Sequence, residues 1–405
     1  MTPPKITVDH RAVRGSNHNG MRQFNERIVL QAIRLHGQIP KADLARATQL
    51  STQTVAIIVN RLMDDGLLIK QPPIRGRIGQ PSVPLSLNPE GAFGIGLQVG
   101  RRNLEVLVTN FAGVPIWSSE TRYDYPDPRV LTDQIATSLE AAKAALGSHW
   151  SSVVGIGITA PLSMHKWVDI MGPYASEGLA RWVDYDLQKA VESLTNLPVA
   201  FAKDTMAACL AELYEGHGRT VRNFLYVFVG TFVGGGLVMD GQLVGGSRGN
   251  AGAIGSLPTA MASDAMPAQL LAVASGWQLE QALMAANLSP TLVHSDAVMQ
   301  QAPADITEAW LKQASSALAM TVASAAAFMD LDAVIVDGSL GRPLIDALIG
   351  RTESSMTTYR FDGMHEPRLM AGQVGPQARA LGGSLIPLHG QFFPTKDVVL
   401  KQDAS

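Results

Sequence analysis

Residues 229–256 read VGTFVGGGLVMDGQLVGGSRGNAGAIGS. This glycine-rich turn sits directly behind the apolar run NFLYVFVG (223–230). A strand emptying into such a turn lets backbone N–H groups approach phosphate or sugar oxygens closely, because no Cβ stands in the way. A second stretch of the same texture, AFGIGLQVGRRNLEVLVTNFAGVPIWSSE (92–120), alternates apolar residues around turns at Gly100-Arg101 and Ala112-Gly113 and predicts a strand meander. Two glycine-marked strand-turns, at 94–101 and 229–236, predict two related halves around a cleft.

Working outward, the spacing predicts a helix at 131–146, the strand VVGIGITA (153–160) ending in Pro161, and a helix at 184–194. The strand LPVAFAKD (197–204) and a helix at 205–216 follow. Beyond the loop come an alanine-rich helix (307–329), the strand AVIVDGS (333–339), a helical GRPLIDALIGRTESSM and a last helix packed through Ala and Gly in MAGQVGPQARALGGSLIPLHG. Strands alternating with helices mean an α/β fold. Of the 16 Met, most are expected in core filling rather than on a ligand surface.

The bulk numbers fit that reading. A chain of 405 residues has length for two or three domains, and 46% hydrophobic against 17% charged residues excludes a disordered chain. The single Cys209 excludes a disulfide framework and a cysteine-based zinc cluster. No apolar run is long enough to cross a bilayer, and MTPPKITVDHRAVRG lacks a signal-peptide core, so a cytoplasmic protein with no membrane partner is expected. The net charge of −3 hides an asymmetry: residues 1–90 carry twelve Lys/Arg against six Asp/Glu, and the remainder twenty against twenty-nine. A basic head on an acidic body points to a polyanion partner for the head.

Behind a leader (1–20), the head (21–75) shows three helical patterns. FNERIVLQAIRLHG (24–37) places Ile28, Val29, Ala32, Ile33 and Leu35 near helical spacing, IPKADLARATQ (39–49) starts near Pro40, and Ser51 caps a third helix that runs to Asp65 before Gly66. Val55, Ile58, Val59 and Leu62 form its expected buried stripe. This is the layout of a winged helix-turn-helix, whose last helix enters the major groove. The residues expected at DNA are Ser51, Thr52, Gln53, Thr54, Ala56, Ile57 and Asn60 along that helix, with Arg61 on phosphate. Gln and Asn match adenine edges, and Ala and Ile match a thymine methyl. Arg75 and Arg77 in the RGR of the wing suit a narrow minor groove, and 76–90 is expected as linker. The expected partner is double-stranded DNA.

GIGLQVGRRNLEVLVTNFAG, VGIGITAPLS, LPVAFAKDTMAACLAELYEG, the 226–256 stretch and VDGSLGRP occur in the order seen in ROK proteins (repressors, open reading frames, kinases), which this chain resembles from about residue 24 to its end. The resemblance implies an actin-like ATPase fold across 91–405, with one lobe of about 91–205 plus the helix 376–390 and another of about 206–375. It implies a sugar-like effector in the cleft, a homodimer or homotetramer, and an inverted-repeat operator, hence a role in carbohydrate metabolism.

The same resemblance exposes what is missing. The first turn of ROK kinases carries an aspartate, where this chain has Gln98-Val99-Gly100-Arg101. The second turn usually reads GTG, and here it is Gly230-Thr231-Phe232. The pair that holds the catalytic base is Lys203-Asp204, so Asp204 survives without its asparagine neighbour. The GEIGH-like segment is Gly252-Ala253-Ile254-Gly255-Ser256, and a further sugar-contacting Glu aligns with Leu271. Zinc ligands and a metal-handling acid are therefore absent, and the expectation is no cofactor, no ATP use and no catalysis. The expected effector contacts are Pro161, Lys203, Asp204, Gly230, Thr231, Gly252, Ala253 and Ser256. Lys203 suits an anionic ligand such as a sugar acid or a phosphorylated sugar. The alternatives are a sugar kinase carrying a DNA-binding head and a DNA-binding protein that ignores ligands.

Overall fold

The computed structural model describes residues 18–74, 82–162, 164–167, 176–259 and 267–394. The chain divides into two compact units. One comprises residues 1–92, 110–112 and 388–405, and the other residues 93–109 and 113–387.

In the first unit, helices α1 (His18–His36), α2 (Lys41–Thr48) and α3 (Thr52–Asp64) accompany strands β1 (Ile39–Pro40), β2 (Leu68–Lys70) and β3 (Pro84–Leu87). The strands form an antiparallel sheet in the order β1-β3-β2, with Leu68 opposite Leu87 and Ile39 opposite Leu85. Val29, Ile33, Leu44, Val55 and Val59 are completely buried. The stripe expected on α3 is the stripe observed. Leu35 differs: it is 42% exposed, because two residues beyond Ile33 is about 200° around the helix, on the opposite face. Residues 84–87, expected as linker, are the central strand of this sheet. PLSL alternates with period two, and Pro84 stands at the strand's first position, where a missing N–H is tolerated.

The last described turn also belongs to this unit. The Phe392 ring meets Phe111 edge-on at 4.8 Å, Arg27 Nη1 donates to the Phe393 carbonyl at 3.0 Å, and the Arg34 guanidinium lies 5.0 Å over the Phe393 ring. The head is thus completed by residues far away in sequence.

The second unit is a duplication. Its first sheet has the order β6-β5-β4-β7-β8 and its second the order β11-β10-β9-β12-β13. The first contains β4 (Phe93–Val99), β5 (Asn103–Asn110), β6 (Pro115–Arg122), β7 (Val153–Ala160) and β8 (Val199–Lys203). The second contains β9 (Phe224–Val229), β10 (Val233–Met239), β11 (Gln242–Leu243), β12 (Ala333–Gly338) and β13 (Arg368–Ala371). In each, a three-strand meander is extended by two strands parallel to one another. The central strands of both are buried on both faces, which is why they read as continuous apolar runs.

Helix α4 (Pro128–Leu146) covers the first sheet through Leu131, Ile135, Leu139 and Ala142. Helices α5 (Asp204–Glu215), α6 (Gly276–Ala285), α7 (Ala304–Phe328) and α8 (Arg342–Met356) follow, and α9 (Ala378–Phe392) closes the chain. Helix α9 crosses α5 with no room for a side chain: a Cβ on Gly382 would stand 1.8 Å from the Ala207 carbonyl oxygen. On its other side, a Cβ on Gly96 of β4 would stand 2.1 Å from the Ala380 carbonyl oxygen. The small residues of the last helix let it pass between the first sheet and α5. Among the described residues no helix is long and apolar enough to cross a membrane.

Candidate functional site

In the head, α3 begins as the sequence dictates. Ser51 Oγ accepts the Thr54 N–H at 3.1 Å, satisfying one of the donors that a helix start leaves over. Ser51, Thr52, Gln53, Ile57 and Asn60 are exposed, while Thr54 and Ala56 are half-buried. Ile57 is 57% exposed and so stands free on the outer face of α3. Arg61 is exposed, but its Nη1 already holds Glu26 Oε1 at 2.6 Å, so a phosphate must share it. Lys41 of α2, which the sequence did not single out, reaches Asn60 Oδ1 at 3.3 Å and adds a cation to the same face. Arg75 and Arg77 lie outside the described residues.

In the second unit a cavity of about 1160 Å³ opens between the two sheets. Pro161, Lys203, Asp204, Thr231, Ala253 and Ser256 all line it. Gly230 and Gly252 do not. A Cβ on Gly252, at φ +71°, would stand 2.7 Å from Gly236, so this glycine serves the loop's path. Leu271 lines the cavity as well, an apolar group where the resemblance has an acid.

Asp204 is the first residue of α5 and nearly buried, with Oδ1 accepting the Thr205 N–H at 2.8 Å and Oδ2 3.8 Å from Arg379 Nη1. Lys203 Nζ donates to Asn250 Oδ1 at 3.0 Å rather than to a carboxylate. Burial lowers its pKa, opposed by the Asp204 charge. Glu105, also in the wall, is pushed up by burial, against the pull of Arg379 and a hydrogen bond from Gln377. Arg379, Asn250 and Glu105 escaped the sequence reading, because no motif links them to Asp204.

The two glycine turns face this cavity. In the first, the Gly100 N–H donates to Asn103 O at 2.8 Å, and Tyr123 Oη lies 2.8 Å from the Gly100 carbonyl. Gln98 is fully buried, and among the described residues neither atom of its amide has a hydrogen-bond partner. Arg101 Nη2 donates to Glu280 Oε2 at 2.6 Å, both side chains being at most 5% exposed, and its guanidinium lies 4.7 Å over the Trp277 ring. In the second turn, the Trp277 N–H donates to Thr231 O at 3.0 Å and the Val233 N–H to Ser275 Oγ at 2.9 Å. Among the described residues no cluster of His, Cys, Asp and Glu has the geometry of a metal site.

Comparison with known proteins fits both parts. The winged helix-turn-helix DNA-binding signature matches residues 25–69. The xylose repressor of Caldicellulosiruptor bescii is 25% identical over 248 residues, 59% of each chain. The crystal structure of a ROK family transcriptional regulator, a homologue of the Escherichia coli MLC protein, superposes with a TM-score of 0.70 at 20% identity, over 92% of this chain and 97% of that one. A ROK family glucokinase from Streptomyces griseus, solved with glucose and AMPPNP, superposes with a TM-score of 0.56 at 18% identity over 72% of this chain and 98% of its own. The ROK signature itself spans residues 94–388, and the chain therefore belongs to the ROK family, with a winged helix-turn-helix in front.

Proposed function

We propose that the chain is a DNA-binding transcriptional repressor whose cleft senses a small sugar or sugar derivative without phosphorylating it. The winged head and the repressor relatives support the DNA-binding half. Two heads of a homodimer or homotetramer engage an inverted repeat, and the effector relieves repression by changing the angle between the lobes of the cleft. Effector and operator are then linked reciprocally, by about 1–3 kcal/mol in typical cases.

The observation that carries the loss of phosphoryl transfer is the first glycine turn. A carboxamide, Gln98, stands where a metal-handling carboxylate is needed, and the following Arg101 is consumed by a buried carboxylate. Transfer of a phosphoryl group depends on metal ions and cations placed on the phosphates. Glu280 neutralises Arg101, so this side chain does not offer a free positive charge to an approaching polyphosphate.

Asp204 offers an acceptor for ligand hydroxyls, and Lys203 an ammonium that, among the described residues, is held by the Asn250 amide oxygen. A sugar acid or sugar phosphate satisfies both. Calorimetry on the wild type and Lys203→Ala tests this reading: it expects an anionic sugar to bind and the variant to weaken it. Tight binding of neutral glucose, indifferent to Lys203→Ala, sinks it.

A further inference from the structure

Both glycine turns that depart from the kinase pattern send a side chain across the cleft, at the end away from the Lys203–Asn250 contact. Arg101, in the turn after β4 of the first sheet, pairs with Glu280 on α6, which packs on the second sheet. Phe232, in the turn after β9 of the second sheet, packs against the apolar cluster of the first. The crossings interlock. Trp277, on which the Arg101 guanidinium stacks, is fixed by its N–H to the carbonyl of Thr231, next to Phe232.

We propose that Arg101–Glu280 and Phe232 form a clasp that holds the two lobes closed at the turn end of the cavity, leaving the Asp204 end for the effector. Two charges taken out of water are costly, and this pair, at most 5% exposed, is held by its direct contact and by the stacking on Trp277, with Glu280 Oε1 lacking a hydrogen bond among the described residues. That arrangement makes the clasp all-or-none: once the lobes part, both charges are solvated, their mutual attraction is screened, and the phenyl ring loses its apolar seat. The lobe angle then has two settings rather than a continuum, which is what a switch needs. The inference does not depend on which ligand the cavity takes.

The test measures the lobe-to-lobe distance in the full chain. Spin labels go on Glu140→Cys in α4 and Ser354→Cys in α8, both exposed; Cys209 is fully buried and stays unlabelled. Pulsed electron-electron resonance is recorded for the parent, Glu280→Gln, Phe232→Ala and the charge swap Arg101→Glu/Glu280→Arg, with circular dichroism confirming the fold. The clasp predicts one narrow distance in the parent, a second and longer population in Glu280→Gln and in Phe232→Ala, and a return toward the narrow distance in the swap. An unchanged narrow distribution in Glu280→Gln and Phe232→Ala overturns it. So does a broadened Glu280→Gln that the swap leaves as broad, or a swap that alone loses the fold while both single variants keep the parent distance.

Discussion

The terminal turn that completes the head carries a titratable group, and its pH dependence can be worked out. His389 stacks on Phe393 at 5.3 Å between ring centroids, in the same cluster as Arg27 and Arg34 of α1. Burial, reinforced by the two arginine charges, lowers its pKa from 6.5 to about 4. Above pH 6.5 the ring is neutral whether the head is folded or not. Between 6.5 and 4 the unfolded chain takes up a proton that the folded head refuses, so stability falls as pH falls and levels off below about 4. A shift of about 2.5 units corresponds to about 3 kcal/mol at about 1.36 kcal/mol per unit. That figure is an upper limit, because the residue is only half-buried by its surface. Hydrogen exchange of the α1 amides reads the effect directly: corrected for intrinsic rates, protection in the wild type should drop by up to about 100-fold from pH 7 to pH 4. His389→Gln, which cannot take up the proton, should flatten most of that drop. Parallel profiles for wild type and variant would refute the reasoning.

Three further outcomes follow from the geometry. Ser51→Ala removes the side-chain cap of α3 and should cost about 1 kcal/mol of head stability, read by thermal melting, with operator binding falling in step. Gln53→Ala should weaken binding to the operator by about 1–3 kcal/mol while leaving non-specific DNA binding unchanged, as measured by fluorescence anisotropy; equal losses on both DNAs would make Gln53 a backbone contact. Gly382→Ala has no space against the Ala207 carbonyl and should lower the melting temperature of the cleft unit, whereas Gly390→Ala, with nothing within 4 Å, should not.

Much of this architecture is legible in the sequence, for identifiable reasons. VVGIGITA predicts β7 to the residue, because a strand buried on both faces leaves an uninterrupted apolar run with a proline at its end. The α3 stripe is equally plain, since helical periodicity and a serine cap coincide. What stays hidden is long-range. Nothing in the local pattern of PLSL tells that it pairs with residues on both sides, and nothing in LHGQFF marks the segment that completes the head. In the cleft, the motif positions Lys203, Asp204 and Thr231 can be named in advance because strand ends deliver them. The Arg101–Glu280 pair, 179 residues apart, has no such signature. Its only trace in the sequence is an arginine in a turn that in kinases serves phosphate.

The central claim is that the cleft binds its ligand without phosphoryl chemistry. A thermal-shift screen of the purified chain against sugars, sugar acids, polyols and sugar phosphates, each with and without Mg-ATP, tests it most directly. A ligand at about 100 times its dissociation constant adds about 2.7 kcal/mol to the folded state, enough to move the midpoint visibly. The account predicts stabilisation by one such class, the same with or without Mg-ATP. Stabilisation that requires Mg-ATP and is accompanied by ADP release would contradict it.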